Sequence, residues 1–261
     1  MKVSVVKIGG NLIEDDADLE QALNNFAQLE GLKILVHGGG KLATQLAQKM
    51  GIKTKMIQGR RVTDAQTLEI ITMVYGGLVG KTIVSKLQAK QCNAISLSGA
   101  DLNCIQSLKR PVKENDFGFV GDISKVNAQS FTTLLNAQIT PVCCAITHDG
   151  NGQLLNTNAD TIASEIAIAL SSEYEVALYY CFEKKGVLRN VLDENSVITD
   201  IDPSSYKNLI AQGIIADGML PKLHNCFHAL ENKVQHVYVG SIAMLANQDE
   251  IKTTLHLNQY N

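Results

Sequence analysis

The 261-residue sequence contains no tryptophan and only 5% aromatic residues, and neither sign of charge dominates it. With so few aromatic side chains, a surface that stacks the bases of a single-stranded nucleic acid is not expected. Lysine and arginine number 23 against 26 aspartates and glutamates, and a net charge of −3 does not favour binding to nucleic acid or to a membrane surface. We therefore expect neither a nucleic acid nor a membrane as a partner.

Long hydrophobic runs and targeting features are also missing. No apolar run approaches the roughly 20 residues that a membrane span requires, and the N-terminus lacks the charged segment and cleavage site of a signal peptide. None of the six cysteines stands in a C-x-x-C pair, which favours reduced and mostly buried thiols over disulfides. We expect a cytoplasmic protein with one large core or two closely joined lobes.

The first ten residues, MKVSVVKIGG, combine a strand with a potential anion site. Residues 3–8 form a mostly β-branched run, which is typical of a buried strand. Gly9 and Gly10 end it, and two glycines leave their backbone N–H groups accessible to an anionic group. Lys7 lies inside the apolar run, where a charge is costly unless it meets an anion. This arrangement favours a lysine that faces a phosphate.

A second glycine cluster follows the next predicted strand. Residues 32–36 form that strand, and His37 precedes three glycines at positions 38–40. A helical pattern begins after Lys41, so the turn opens onto a helix N-terminus, which favours anions. Each cluster alone is typical of a tight turn, but two clusters on successive strands indicate a phosphate site.

Strands alternate with helices along the whole chain, which predicts an α/β fold with a mainly parallel central sheet sandwiched by helices. A turn at residues 148–152 separates an N-terminal lobe of about residues 1–150 from a C-terminal lobe of about 151–261. The predicted strands are residues 3–8, 32–36, 94–97, 117–120, 139–146, 176–180 and 234–239. The predicted helices begin near residues 15, 41, 64, 127, 156, 203 and 218.

The helix that begins near residue 64 has two unusual features. Leu68, Ile71, Val74, Leu78 and Ile83 hold the spacing of one apolar face. Glycines at positions 76, 77 and 80 interrupt the helix at a cost of about 1 kcal/mol each, and a close packing partner would explain them. The G-K-T sequence at 80–82 resembles the end of a P-loop, but no glycine precedes it at the required position, so we reject that interpretation.

Polar side chains open two helices in the C-terminal lobe. Asn156, Asn158 and Asp160 stand two residues apart, and since a helix cap needs only one of them, the other two favour a ligand-facing role. Lys222 lies near the start of a later helix, where a cation opposes the helix dipole, which favours a second phosphate-facing charge. His224 and His228 have the spacing of half a metal site, but no suitable third ligand is evident, and we predict no protein-bound metal.

Six motifs together resemble the amino acid kinase family, and within it the branch that phosphorylates N-acylated glutamate for arginine biosynthesis. In chain order they are Lys7-Ile8-Gly9-Gly10, His37-Gly38-Gly39-Gly40, Arg61-Val62-Thr63-Asp64, Gly118-Phe119-Val120-Gly121-Asp122, Asn156-Thr157-Asn158-Ala159-Asp160 and Asp217-Gly218-Met219-Leu220-Pro221-Lys222. The resemblance spans nearly the whole chain. It implies transfer of the γ-phosphoryl group of ATP, with Mg²⁺ on its phosphates, to the side-chain carboxylate of N-acetylglutamate.

The resemblance implies a catalytic role for Lys7, Lys222, Asp160 and Gly10, with Gly39 of the substrate site beside them. Lys7 and Lys222 would supply positive charge to the transferring phosphoryl group from opposite sides, and Asp160 would hold both lysines in place. Backbone N–H groups of Gly10 and of Gly39 would stabilise the phosphoryl oxygens. Positioning and charge neutralisation are what phosphoryl transfer to a carboxylate requires.

The same resemblance divides the chain into a substrate lobe and a nucleotide lobe. Arg61 would bind the substrate's α-carboxylate through both amino groups, and Gly39, Gly40 and Asn156 would bind the rest of the substrate. The residues expected to contact ATP are Tyr180, Cys181, Glu183, Gly186, Ile214, Ile215 and Ala216.

Several features depart from the usual pattern of the family, among them Asp101-Leu102-Asn103, where small residues are common. Residues 181–186 are longer than the usual turn and lack its aspartate, which affects the expected contacts with the nucleotide. Arg60 replaces an apolar residue, which raises the hypothesis that the acyl group is larger and more acidic than acetyl, for example succinyl. The chain begins directly at its first strand, without the N-terminal helix of arginine-inhibited hexamers, so we expect a homodimer that is insensitive to arginine.

Two alternatives remain open at this point. One is another kinase of the family, of which uridylate kinase fits the length best but fits the motifs at 61–64 and 156–160 poorly. The other is a catalytically silent sensor of an amino acid or a nucleotide. A silent relative would be free to lose Lys7, Asp160 or Lys222, and because all three are present we favour an enzyme.

Overall fold

The computed structural model describes residues 1–57, 59–216, 218–247 and 249–257. Its strands, in chain order, are β1 (Lys2–Ile8), β2 (Leu32–His37), β3 (Lys55–Ile57), β4 (Arg60–Val62), β5 (Ala94–Leu97), β6 (Ile105–Lys109), β7 (Gly121–Val126), β8 (Thr140–Cys144), β9 (Ile146–His148), β10 (Leu154–Asn156), β11 (Glu175–Cys181), β12 (Val187–Leu188), β13 (Val197–Ile198), β14 (Asp200–Ile201), β15 (His236–Gly240) and β16 (Thr253–Leu255).

The helices lie between these strands. They are α1 (Gly10–Glu14), α2 (Asp16–Gln28), α3 (Gly40–Lys49), α4 (Ala65–Ile71), α5 (Gly80–Ala89), α6 (Ala128–Asn136), α7 (Ala159–Leu170), α8 (Pro203–Ala211), α9 (Met219–Glu231) and α10 (Ala243–Ala246), with a π-helical segment at Thr72–Val79 and a 3₁₀ turn at Asp101–Asn103. Side chains of Asp15, Asp64, Asn158 and Asp202 cap α2, α4, α7 and α8 by accepting backbone N–H bonds.

An eight-stranded sheet forms the centre of the molecule, in the order β14-β16-β15-β11-β1-β2-β8-β5. The strand β1 lies in its middle and pairs in parallel with β11 and β2. Its residues Val3, Val5 and Val6 are fully buried, and α7 packs on β1 and β11. The strands from β15 to β5 in this order all run parallel, while β16 is antiparallel to β15. The predicted fold class is thus confirmed.

A second sheet of four strands, β10-β9-β6-β7, stands beside the first. It shows that the predicted single strand at 139–146 is wrong, because the chain leaves the large sheet at Ala145 and β9 joins the small one. Residues 140–147 are all buried, so their apolar run gave no sign of the break. The strand predicted at 117–120 is also displaced, since the regular strand β7 begins at Gly121.

The long helical stretch from Ala65 to Ala89 is interrupted by the π-helical segment at 72–79. The segment widens the turn, so the apolar face does not follow the predicted spacing: Leu78 is 61% exposed, while Tyr75 and Val79 are buried. Gly80 has the expected close partner, because a Cβ there would overlap the Ser96 hydroxyl. No described residue lies within 4 Å of a Cβ on Gly76 or Gly77. By length and composition this helix could cross a membrane, but half of its most apolar window is buried inside the protein.

Smaller elements add to the predicted ones. Helix α1 and the hairpin of β3 and β4 were not predicted, and β16 follows the strand predicted as the last. All six cysteines are free and buried, which agrees with the prediction of buried thiols.

Candidate active site

The loops that follow β1, β2 and β11 meet at one edge of the large sheet. Ile8 stands opposite His37 of β2 on one side and opposite Cys181 of β11 on the other. Because the strands are parallel, their carboxyl ends come together, and ligands of open parallel sheets bind at such an edge. The sheet order therefore brings Lys7 and the two glycine clusters to the same place.

Lys7, Asp160 and Lys222 form a cluster at this edge. The Lys7 Nζ lies 2.7 Å from Asp160 Oδ1, and the Lys222 Nζ lies 3.1 Å from Oδ2. The three side chains are between 11% and 18% exposed. Asp160 reaches the cluster from the first turn of α7, and Lys222 reaches it from α9. The structure brings together the three charged residues that the sequence predicted, from elements up to 215 positions apart.

The charges of this cluster are set by burial and by mutual attraction. Burial alone would raise the pKa of Asp160, but the charges and hydrogen bonds of Lys7 and Lys222 hold that pKa well below its usual range. Burial lowers the pKa of Lys7, and the Asp160 carboxylate opposes that effect. Two ammonium groups and one carboxylate leave one net positive charge. Lys222 donates one of its three N–H groups to Asp160 Oδ2, and the Lys7 ammonium is in ion-pair contact with Oδ1, so both can still bind an anion.

Tyr180 supports the cluster from inside the protein. It is fully buried, and its hydroxyl donates a hydrogen bond of 2.8 Å to the backbone carbonyl of Asp160. The Lys222 ammonium lies 5.2 Å from the centre of the Tyr180 ring, within the range of a cation–π contact. The tyrosine side chain therefore holds the lysine–aspartate cluster and does not reach the surface.

Each glycine cluster stands at a helix N-terminus. Gly9 precedes α1 and Gly39 precedes α3, and in the part of the chain that the structure describes no side chain caps either helix. The Lys7 Nζ lies 3.7 Å from the position of a Cβ on Gly9, while the space around Gly10 is open. The Lys41 ammonium joins the two helices by bonding Asn11 of α1. Their first N–H groups remain available to an anion.

Arg61 faces the second glycine cluster. Its Nη2 donates hydrogen bonds to the Gly40 carbonyl at 2.7 Å and to the Thr44 hydroxyl at 2.8 Å. Its other amino group, Nη1, is buried and has no hydrogen-bond partner among the residues that the structure describes. A buried guanidinium donor without an acceptor is costly, and a ligand carboxylate would satisfy it.

The residues of the N-x-N-A-D motif have three separate tasks. Asn156 ends β10 and donates a 3.0 Å hydrogen bond to the hydroxyl of Thr63, in the R-V-T-D motif. Asn158 caps α7, and Asp160 binds the lysines. Thr63 also bridges to Gly118, whose φ of +71° and contact with the Thr63 carbonyl leave no room for a side chain. Asp217, the first residue of the D-G-M motif, lies outside the described residues.

The residues predicted to bind ATP differ in their accessibility. Glu183 and Ala216 are exposed and Ile214 is half-buried. Tyr180, Cys181, Gly186 and Ile215 are buried, so only their backbone or a small part of their side chain could face a ligand. A Cβ on Gly186 would lie 2.7 Å from both Thr253 and Val197, which gives this glycine a packing role.

The structure also places residues that the sequence did not identify or interpreted otherwise. Tyr75 and Thr44 lie beside Arg61 and had no motif to mark them. Arg60 and Arg61 are neighbours in β4, so their side chains project to opposite faces, and Arg60 is exposed. His228 pairs with Glu165 at 3.1 Å. No cluster of three potential metal ligands occurs within the described ranges.

His37 is neutral in this structure. It is fully buried, its Nδ1 lies 2.8 Å from the Gly38 carbonyl, and burial lowers its pKa to about 4. The carbonyl requires a proton on Nδ1, so the ring is the neutral Nδ1–H tautomer.

A stability measurement over pH tests this assignment. Between pH 6.5 and about 4 the unfolded chain binds the proton and the folded chain does not, so stability falls as the pH is lowered through this window, by up to about 3 kcal/mol. We expect urea unfolding of His37→Asn to lose this part of the pH dependence. The exposed His236→Asn should keep it, and an unchanged slope in His37→Asn would contradict a neutral His37.

The chain is similar to known proteins in both sequence and fold. The model of the amino acid kinase family matches residues 2–241. The acetylglutamate kinase of Phocaeicola vulgatus is 55% identical over 238 residues, which are 91% of this chain and 93% of that protein. The acetylglutamate kinase of Cytophaga hutchinsonii is 51% identical over 253 residues, 95% and 96% of the two chains. The structure of a Giardia lamblia carbamate kinase bound to AMP-PNP superimposes with a TM-score of 0.74 at 14% identity, over 98% and 99% of the two chains.

Proposed function

The chain belongs to the amino acid kinase family, and on that premise we propose that it transfers the γ-phosphoryl group of ATP to the side-chain carboxylate of N-acetylglutamate or a related N-acylglutamate. This reaction is a step of arginine biosynthesis. The family predicted from the six sequence motifs is confirmed, and the chain is a kinase by its relatives at about half identity. Two cationic groups support this choice of substrate. They are the Lys7–Asp160–Lys222 cluster and Arg61.

The chemistry needs no general base. A glutamate side-chain carboxylate has an ordinary pKa of about 4.3 and is already ionised at pH 7. The neutral, buried His37 is accordingly not required as a base. What remains is to hold the carboxylate in line with the γ-phosphorus and to neutralise the charge on the phosphoryl oxygens. The lysine cluster and the N–H groups at the starts of α1 and α3, at Gly10 and Gly39, suit that task.

Arg61 suits the substrate's α-carboxylate. Its Nη2 is held by Gly40 and Thr44, which fixes the guanidinium plane, and its Nη1 lacks an acceptor among the described residues. A carboxylate bound there would be held near Gly39, Gly40 and Asn156. The side-chain carboxylate of the same molecule would then extend towards the carboxyl end of β1.

The nucleotide would lie over the C-terminal lobe, where Glu183, Ile214 and Ala216 are accessible, and Gly186 shapes the loop between them. Mg²⁺ would enter on the phosphates of ATP, because both oxygens of Asp160 are paired with lysines and cannot serve a metal. The ion would add charge neutralisation at the phosphoryl group. A cytoplasmic location remains part of this proposal.

A direct assay separates this proposal from its alternatives. We would measure ATP-dependent phosphorylation with Mg²⁺ on acetylglutamate, succinylglutamate, glutamate, aspartate and UMP. The proposal predicts turnover on an acylglutamate alone. Turnover on UMP would identify a uridylate kinase, and a folded protein that is inactive on all five would favour the sensor.

The acyl group is a separate question within this assay. The hypothesis that Arg60 selects a larger, acidic acyl group loses support because its exposed side chain projects away from the face of Arg61. We therefore expect Arg60→Leu to leave the ratio of kcat/KM for acetylglutamate and succinylglutamate unchanged. A shift of about tenfold or more towards acetylglutamate in this variant would restore the role of Arg60.

We also propose that the protein is a homodimer, joined beside β5. Among the described residues no strand pairs with the outer edge of β5, and Ile95 on β5 and Met73 and Leu78 on the π-helical segment are exposed. An apolar face next to a free strand edge suits a second copy of the chain. Sedimentation velocity should give a dimer for the wild type and a monomer for Leu78→Asp. Leu108→Asp, equally exposed on β6, should stay dimeric, and a dimeric Leu78→Asp would exclude this interface.

A further inference from the structure

Tyr75 presses on the glycine cluster of the substrate site. It belongs to the π-helical segment at 72–79 and is 5% exposed. A Cβ on Gly39 would lie only 2.9 Å from the tyrosine ring, and the φ of Gly39 is +146°. Neither the space nor the backbone of Gly39 admits a side chain. The ring of Tyr75 therefore forms the wall behind the turn at Gly39.

The hydroxyl of Tyr75 lies beside the guanidinium of Arg61. Both point at the space above Gly40, 3.7 Å and 3.8 Å respectively from where a Cβ on that glycine would stand. Burial raises the pKa of Tyr75, and the positive charge of Arg61 partly opposes that effect. The hydroxyl thus stays protonated at neutral pH and can both accept from Arg61 and donate to a carboxylate.

Tyr75 lies within the π-helical segment, which changes the side chains that follow it. Such segments turn the following side chains to a different face and are frequent at functional sites. On a regular helix the apolar face would have included Leu78, which is instead exposed, while Tyr75 and Val79 turn towards Gly39. The hydroxyl of Tyr75 thus lies at a site whose other polar groups come from α3 and β4.

We propose that Tyr75 is a positioning and specificity residue, which orients Arg61 and contributes its hydroxyl to the binding of the substrate's α-carboxylate. This inference rests on the proposed function and adds a residue to its substrate site. The role concerns substrate binding, because the hydroxyl lies beside Arg61 and not in the lysine cluster where the phosphoryl group is transferred.

Tyr75→Phe keeps the ring and removes the hydroxyl. We expect KM for the acylglutamate to rise about tenfold, as for the loss of a hydrogen bond to a charged group, with KM for ATP and kcat within about twofold of the wild type. Tyr174→Phe removes the hydroxyl of another buried tyrosine and should change none of these constants. A Tyr75→Phe variant with an unchanged KM for the acylglutamate would overturn the proposal.

A substrate analogue distinguishes positioning from a general loss of structure. In an N-acylglutamate α-amide, the group that Arg61 and Tyr75 bind has lost its charge. The amide carbonyl can still accept from Tyr75, but without the charge, so Tyr75→Phe should raise KM for this analogue less than it raises KM for the acid. An equal tenfold effect on the amide and on the acid would overturn the proposed contact.

A double-mutant cycle keeps the proposal testable if the proposed function fails. Should the wild type phosphorylate no acylglutamate, the proposed function is wrong, and the contact is judged without substrate. The effects of Tyr75→Phe and Arg61→Leu on urea unfolding should then be non-additive, because each variant removes the other's partner. Additive effects would overturn the positioning of Arg61 by Tyr75.

Discussion

Asp160→Ala is expected to lose about 3–5 kcal/mol of stability, because it removes one side chain that neutralises two buried lysines. Lys7 and Lys222 contact the two oxygens of Asp160 and are 11% and 13% exposed. Without the carboxylate, two ammonium groups would face each other in a site largely closed to water. Urea unfolding monitored by circular dichroism measures the loss, and phosphoryl transfer should be abolished with it.

Two further variants separate this effect from ordinary ion pairing. Asp122→Ala removes an aspartate bonded to Arg110 at a site where the carboxylate is 49% exposed, and should cost at most about 1 kcal/mol. Adding Lys7→Met to Asp160→Ala should restore part of the stability, since one unpaired charge is gone. If Asp160→Ala unfolds at the urea concentration of the wild type, the cluster does not hold buried charge.

The pH dependence of this cluster has a definite sign. The folded-state pKa of Asp160 is held below its unfolded value, so the stability it contributes is present above pH 4 and is lost as the pH falls below that value. This window lies below that of His37, whose contribution is lost between pH 6.5 and about 4.

Lys222→Met is expected to lower kcat by about 10²–10³, with KM for the acylglutamate little changed. The ammonium of Lys222 has donors left after bonding Asp160, and these would stabilise the charge that develops on the transferring phosphoryl group. Lys7→Met should behave in the same way from the other side of Asp160. Steady-state kinetics with ATP and the acylglutamate varied separately measures both constants.

Lys90→Met provides the matched control. This lysine is 15% exposed and pairs with a carboxylate, so it resembles Lys222 in burial, but it directly follows α5 and contacts Glu20 of α2, away from the carboxyl edge of β1. The kcat of the Lys90→Met variant should equal that of the wild type. If Lys90→Met and Lys222→Met lose activity equally, the loss reflects stability, and the catalytic role of Lys222 is contradicted.

The positions of the three charged residues were predictable because each breaks a local rule. Lys7 is a cation inside a buried strand, Asp160 is one polar group more than a helix cap needs, and Lys222 opposes the dipole of its helix. Such exceptions to local preference are found at functional sites. The glycine clusters were predictable because strand, turn and helix follow each other directly in the sequence.

Other features of the structure could not be predicted from the local sequence pattern. Tyr75 and Leu78 both fit an apolar helix, and only the tertiary structure decides that Tyr75 is buried against Gly39 while Leu78 is exposed. The break at Ala145 falls within a run in which every residue is buried, so the period of the sequence cannot reveal it. Arg60 looked like a substrate contact until β4 placed its side chain on the opposite face from Arg61.

The sequence by itself determined the fold class, the family and the charged groups of the site, because these depend on residue type and local spacing. The tertiary structure alone decided which groups meet: Lys222 with Asp160, Tyr75 and Thr44 with Arg61, and Asn156 with Thr63. The physical reason is that parallel strand order brings distant chain segments to one edge, and contacts between them leave no periodic trace in the sequence.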